Sequence, residues 1–183
     1  MRVSTIISAV AALVVTLTVT LLPAGPAAAD TALDGCYDST TAQHQDPAAW
    51  FAPGNRQTTW TSPINIIHGD AFRVKAQGSV RIDAWGTTKS IAGELPAAPV
   101  AGGWPAPGAP RYALIARVTG GAMWVKKTSR MYGSSSWFPV GTDSDCMLFS
   151  SNGDPAPQLV FTFNDNNLGD NGGGAAVVVR QWF

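Results

Sequence analysis

The chain has 183 residues, 45% of them hydrophobic, with 12 basic against 12 acidic side chains and no net charge. Charges that balance and do not gather into runs leave no broad electrostatic footprint for nucleic acid or anionic lipid, so those partners are not expected. Two cysteines without CxxC spacing and two histidines, His44 and His68, give no zinc-ligand pattern.

In chain order, Arg2, an apolar stretch over 6–22 and the small residues Ala27, Ala28 and Ala29 read as a secretory signal peptide, 1–29, cut after Ala29. The competing reading is a membrane anchor. Against it, Ser and Thr dilute the apolar run, and Pro23, Gly25 and Pro26 lead to an A-x-A end with no basic stop signal. No later stretch is long and apolar enough to span a bilayer. A secreted, extracellular chain is expected, and in that compartment Cys36 and Cys146 read as one disulfide, the alternative being two free thiols.

Residues 30–62 are polar and irregular and read as an N-terminal arm, with Trp50, Phe51 and Trp60 as its large apolar groups. A short helix over 47–51 is one option there, with Asp46 as its cap and Pro47 at the first helical position. From 63 to 183 the pattern changes to short apolar runs separated by Gly, Pro, Asn and Asp, at 64–67, 71–76, 80–84, 112–118, 123–126, 147–149, 158–163 and 175–182. Such spacing predicts an all-β fold, an antiparallel β-sandwich, with Leu114, Val118, Val160, Phe161, Phe163, Val177 and Val179 on buried faces. Between 91 and 111 lies a Pro/Gly/Ala segment that reads as a long loop, and long loops in compact domains are often binding loops. Its one bulky group, Trp104, is placed either to stack on the apolar face of a sugar or to pack onto the sandwich edge. The other Trp residues read mostly as core or strand-end groups, and 130–138 reads as a second loop.

The most informative stretch is 161–179, FTFNDNNLGDNGGGAAVVV. Asn164, Asp165, Asn166, Asn167, Asp170 and Asn171 crowd one turn between two apolar strands. Oxygen donors at that density suit a hard cation such as Ca²⁺, which needs several at once. Gly172, Gly173 and Gly174 would let the chain fold closely around an ion. The same residue types also make an ordinary hairpin loop, which is the competing reading.

The ordered set Gly69-Asp70, strand 71–76, Gly78, strand 113–118, Phe138-Pro139-Val140-Gly141, strand 159–163, Asn164-Asp165 and Asp170-Asn171-Gly172-Gly173 resembles the calcium-dependent galactophilic lectins of the LecA type and the related galactose-binding-like, jelly-roll β-sandwich domains. The likeness covers 63–179 and leaves the arm without a counterpart. It implies Ca²⁺ held by Asp165, Asp170 and Asn171, by a main-chain carbonyl of Asn167 or Leu168, and by one from an early loop at 82–85, of which Ile82 is the candidate. It also implies a sugar site beside the cation, here Trp104, Asp165, Asn166 and Asp170. The turn is about two residues shorter than in those lectins. The His and Gln that they use on sugar are replaced by Trp104, Pro105 and Arg111, so galactose itself does not carry over.

The expected function is therefore a secreted, Ca²⁺-dependent, lectin-like module that binds a carbohydrate or glycoconjugate. The alternative is a structural or interaction domain in which Ca²⁺ only stabilises the fold. No catalytic residues are expected. Glu94 is the single Glu, and there is no G-x-S-x-G, no HExxH and no Gly-rich phosphate loop.

Overall fold

The computed structural model describes residues 27–153 and 156–183. The signal peptide expected over 1–29 lies almost wholly outside them, and helix α1 (Ala27–Tyr37) runs across the cleavage point expected after Ala29. No helix among the described residues is long and apolar enough to cross a membrane.

Fourteen strands follow α1: β1 (His44–Gln45), β2 (Trp50–Pro53), β3 (Thr58–Trp60), β4 (Ala71–Arg81), β5 (Thr88–Ser90), β6 (Glu94–Ala97), β7 (Pro110–Arg111), β8 (Leu114–Val118), β9 (Ala122–Val125), β10 (Arg130–Gly133), β11 (Phe138–Pro139), β12 (Met147–Ser150), β13 (Leu159–Phe163) and β14 (Gly172–Trp182). One antiparallel sheet runs β1-β14-β4-β12-β9-β10, with β2 added to β14 and β5 to β4. The second runs β11-β8-β13-β3, and β6 and β7 form a separate ribbon. The fold is an all-β sandwich.

Period-two burial explains the two layers. In β14 Ala175, Val177 and Val179 are fully buried and alternate with half-buried Ala176, Val178 and Arg180, as a strand with one core face requires. Phe72 and Val74 of β4, Met147 and Phe149 of β12, and Met123 and Val125 of β9 continue that face. Leu114, Ala116 and Val118 of β8 and Leu159, Phe161 and Phe163 of β13 meet it from the other sheet. All seven residues expected on buried faces are buried.

Several local expectations are corrected. Residues 71–81 form one strand, because Gly78 (φ 143°) lets it run on where the backbone of β14 comes close; a Cβ there would lie 2.3 Å from the Gly174 carbonyl oxygen. Residues 64–67 form no strand, and Ile66 is buried in the core from the irregular stretch between two turns. The stretch 130–138 contains β10 and the start of β11 rather than a loop throughout.

The irregular arm is woven into both sheets: β1 and β2 pair with β14, and β3 pairs with β13. In place of the short helix over 47–51 there is β2, because Asp46 does not cap. Its buried carboxylate accepts from the Val179 N–H (2.8 Å) and from the Trp60 indole N–H (3.1 Å), tying the segment to β14. Cys36 of α1 and Cys146 are disulfide-bonded, and with Ala32, Ala71 and Trp182 they form a second small core at the end of the large sheet.

Asp143 stands where the segment before β12 crosses β4. Burial alone would raise its pKa, but hydrogen bonds from Arg73 (3.0 and 2.7 Å) and Lys75 outweigh that effect and hold the carboxyl well below its ordinary value of 3.8. A carboxyl depressed in the folded state adds stability above its unfolded pKa. That contribution is lost as pH falls below 3.8 and through the folded value. Asp143→Asn is expected to lower stability at ~pH 7 and to shrink the difference from wild type at ~pH 2, as read from urea unfolding at both. An equal deficit at both pH values would show that the charge is not what matters.

Candidate functional site

Phe163, opposite Leu114, ends β13, and the next eight residues form the turn before β14. Inside it, residues 168–170 make one 3-10 turn, opened by the Asn167 side-chain oxygen, which accepts from the Gly169 N–H at 3.3 Å. It is closed by the Asn171 N–H on the Leu168 carbonyl at 3.2 Å. Asn and Asp side chains bonding backbone one to three residues away is the local chemistry that makes these residues turn formers.

Three other segments meet this turn. Gly172 pairs with Arg81, which brings the β4–β5 hairpin tip, residues 82–87, to the same end of the sheet. Asn171 donates to the Gly54 carbonyl at 3.3 Å, and the Gly54 N–H donates to the Gly173 carbonyl at 2.9 Å, which places the turn after β2 alongside. The third segment is the loop 98–109, closed at its base by the β6–β7 ribbon. It is fastened by Asn164, which is fully buried. The Asn164 side-chain oxygen accepts from the Ala106 N–H (3.0 Å), and its NH₂ donates to the carbonyls of Ala106 (3.0 Å), Ala109 (3.3 Å) and Pro110 (3.0 Å). Asn164 therefore belongs to the loop and is not free to face an ion.

The remaining donors divide sharply. Asp165 is buried; one carboxylate oxygen accepts from the Asn167 N–H at 3.0 Å, and the other is buried with no partner among the described residues. Asp170 accepts from the Asn167 side-chain NH₂ at 2.8 Å with one oxygen, and its other oxygen is likewise buried and unpartnered. The Asn171 side-chain oxygen is the third such atom. Of seven buried, unpartnered side-chain polar atoms among the described residues, three are oxygens of this one turn. Each costs about 1–3 kcal/mol if nothing satisfies it, so three such oxygens in one turn call for hydrogen-bond donors or a cation.

The Arg81 guanidinium lies over Gly172, yet neither Asp165 nor Asp170 forms an ion pair among the described residues. No group of three or more His, Cys, Asp or Glu residues suited to a metal occurs among them either. A cation here would draw on two carboxylates, an amide oxygen and main-chain carbonyls, a donor set that fits Ca²⁺ and does not fit zinc.

Asn166 and Asn167 are exposed and Leu168 is half-buried against the core. The Leu168 carbonyl already accepts one hydrogen bond and has a second lone pair. Ile82 follows Arg81 directly, its side chain against the core and its N–H on the Thr87 carbonyl at 2.9 Å. Gly174 (φ 153°) belongs to β14, where a Cβ would lie 2.2 Å from the Ala52 carbonyl oxygen. The glycine run thus serves the close approach of strands rather than a wrap around an ion.

Trp104 is brought to the turn. A Cβ on Gly102 would sit 3.6 Å from the Trp104 indole nitrogen and 4.0 Å from the Asn166 side-chain nitrogen. The ring is half-buried, edge-on to Tyr112 (5.7 Å) with the Arg111 guanidinium 5.5 Å over it. Trp85 was not singled out by the sequence reading and departs from its picture of packed indoles. It is 92% exposed at the tip of the β4–β5 hairpin, where Asp83 accepts from the Trp85 and Thr87 N–H groups. The signal for it was present: a Trp between Ala84 and Gly86 in a tight turn has no strand face to pack on.

Each histidine side chain makes one polar contact among the described residues. His44 lies 3.4 Å from Asp46, whose carboxylate is already engaged, and the His68 ring accepts from the Ser151 N–H at 3.3 Å. No family model and no curated protein matches the chain.

Proposed function

We propose that this chain is an exported carbohydrate-binding domain whose turn 164–171 takes Ca²⁺ and presents it, with neighbouring side chains, to a sugar. The observation that carries this reading is the clustering of three buried oxygens without donors, on Asp165, Asp170 and Asn171. Those three side chains would hold the ion, with the carbonyls of Asn167, Leu168 and Ile82 as the main-chain candidates. Bound Ca²⁺ supplies a flexible oxygen-coordinated centre on which vicinal hydroxyls can replace waters. Trp104 beside the turn and the exposed Asn166 on it would serve as aromatic and amide partners for a ring. The likeness to galactophilic lectins supports this class of ligand without selecting galactose, and export is supported by the expected leader and agrees with the disulfide.

A second reading has its own support. Arg111 and Tyr112 cover part of Trp104, which favours a cation that only fixes the turn, with no sugar on it. Glycan-array binding with Ca²⁺ and with excess chelator separates the two. Glycan signals that vanish in chelator and are lost in Trp104→Ala are expected. No glycan signal in either buffer, together with a chelator-sensitive melting temperature, would transfer the site to the structural reading.

A further inference from the structure

Beside the loop that Asn164 fastens lies a cleft of about 420 Å³, walled by Pro107, Pro110 and Pro139 and by Tyr132, Trp137 and Arg130. We infer that this cleft binds an acidic sugar, of the uronic-acid class, independently of the cation turn. The chemistry is read from what is fixed and what is left free. Arg117 covers one face of the Trp137 ring at 5.2 Å and donates to the Ser134 carbonyl at 3.2 Å, so the indole is held in place from one side. The indole N–H has no partner among the described residues. Tyr132 is half-buried, its ring 5.7 Å from Phe138, and its hydroxyl donates to Thr128 (3.2 Å), which donates to the Val125 carbonyl (3.3 Å). That chain commits the phenol proton inward and leaves the phenol oxygen as an acceptor.

Arg130 is paired by its backbone on β10 and exposed at the cleft, its guanidinium without a hydrogen bond or ion pair among the described residues, and no acidic side chain lines the walls. A ligand that satisfies all of this carries an anionic group for the guanidinium fork, a hydroxyl donor for Tyr132, an acceptor for the indole and an apolar face for the rings and prolines. A sugar carboxylate has those groups on one ring. An acidic peptide offers the anion but not the hydroxyls on a flat apolar face.

The test titrates the purified protein, in excess chelator, with tetragalacturonate, with its methyl ester and with an oligoglutamate peptide, by calorimetry. The acid form is expected to bind, with the ester and the peptide at least about tenfold weaker, the scale of a hydrogen-bonded charge. Arg130→Gln is expected to bring the acid down to the ester, and Trp137→Ala to weaken both, with the melting temperature of Arg130→Gln unchanged. Equal affinity for acid and ester, an unchanged Arg130→Gln, no binding of the acid form, or a peptide that binds as tightly would each overturn the assignment. Because chelator is present throughout, failure of the calcium reading leaves this result standing.

Discussion

Replacing Cys36 and Cys146 together by Ser is expected to cost about 5 kcal/mol, because the bond closes a loop of 110 residues and its removal returns that freedom to the unfolded chain. The loss should be local as well as global. Among the described side chains the second core holds Ala32, Ala71 and Trp182 besides the two cysteines, with Leu33 and Ala42 only partly buried against it. Without the bond, α1 should open before the sheets do, uncovering Trp182, which is 3% exposed in the fold. Urea unfolding followed by tryptophan fluorescence and by circular dichroism would read both effects. A double variant within about 1 kcal/mol of wild type would mean that the unfolded chain is already compact near these residues.

Asn164→Ala is expected to be the most damaging single change near the candidate site. It removes one accepted and three donated hydrogen bonds between the start of the turn and residues 106–110. Two of the freed carbonyls, those of Ala106 and Ala109, keep a second backbone partner, while the Ala106 N–H keeps none among the described residues. Leaving that N–H unsatisfied, with the other bonds lost, gives a cost of about 2–3 kcal/mol. Asn164→Asp keeps the acceptor but turns a second oxygen toward three carbonyls, and it should do no better. In both variants amide exchange at Ala106 should accelerate, and Trp104 should lose its position over the turn. An Asn164→Ala protein with a wild-type melting temperature and slow exchange at Ala106 would mean that the loop is held from elsewhere.

These expectations mark where the sequence was readable. Strands β13 and β14 were legible because Leu159, Phe161 and Phe163, then Ala175, Val177 and Val179, repeat at the strand period over five residues or more, and the polar turn between them breaks that repeat cleanly. Strands β1, β2 and β3 were not legible. At two to four residues they carry no period, and they are held by partners far along the chain, Val179 for Asp46 and Ala175 for Ala52. An Asp-Pro pair reads locally as a helix start, and a buried bond across 133 residues overrides that preference.

In the candidate site the crowding of oxygens was legible, but their division was not. Asn164 and Asp165 are adjacent and chemically alike, yet the first is fastened to the loop 98–109 and the second bonds within the turn. Trp85 was passed over because a Trp is more often packed than exposed. Its position at a hairpin tip, rather than its residue type, sets its exposure.

The central claim is that the turn 164–171 holds a cation, and thermal unfolding of wild type, Asp165→Ala and Asn166→Ala in millimolar Ca²⁺ and in excess chelator tests it most directly. An ion that binds only the folded form adds about 2.7 kcal/mol at a free concentration one hundredfold above its dissociation constant. Wild type and Asn166→Ala, whose side chain is exposed, should melt higher in Ca²⁺ than in chelator. Asp165→Ala should lose most of that difference, because it removes one of the three buried oxygens. A wild type that melts at the same temperature in both buffers, with Asp165→Ala as stable as wild type or more so, would contradict the account and leave the turn an ordinary hairpin loop.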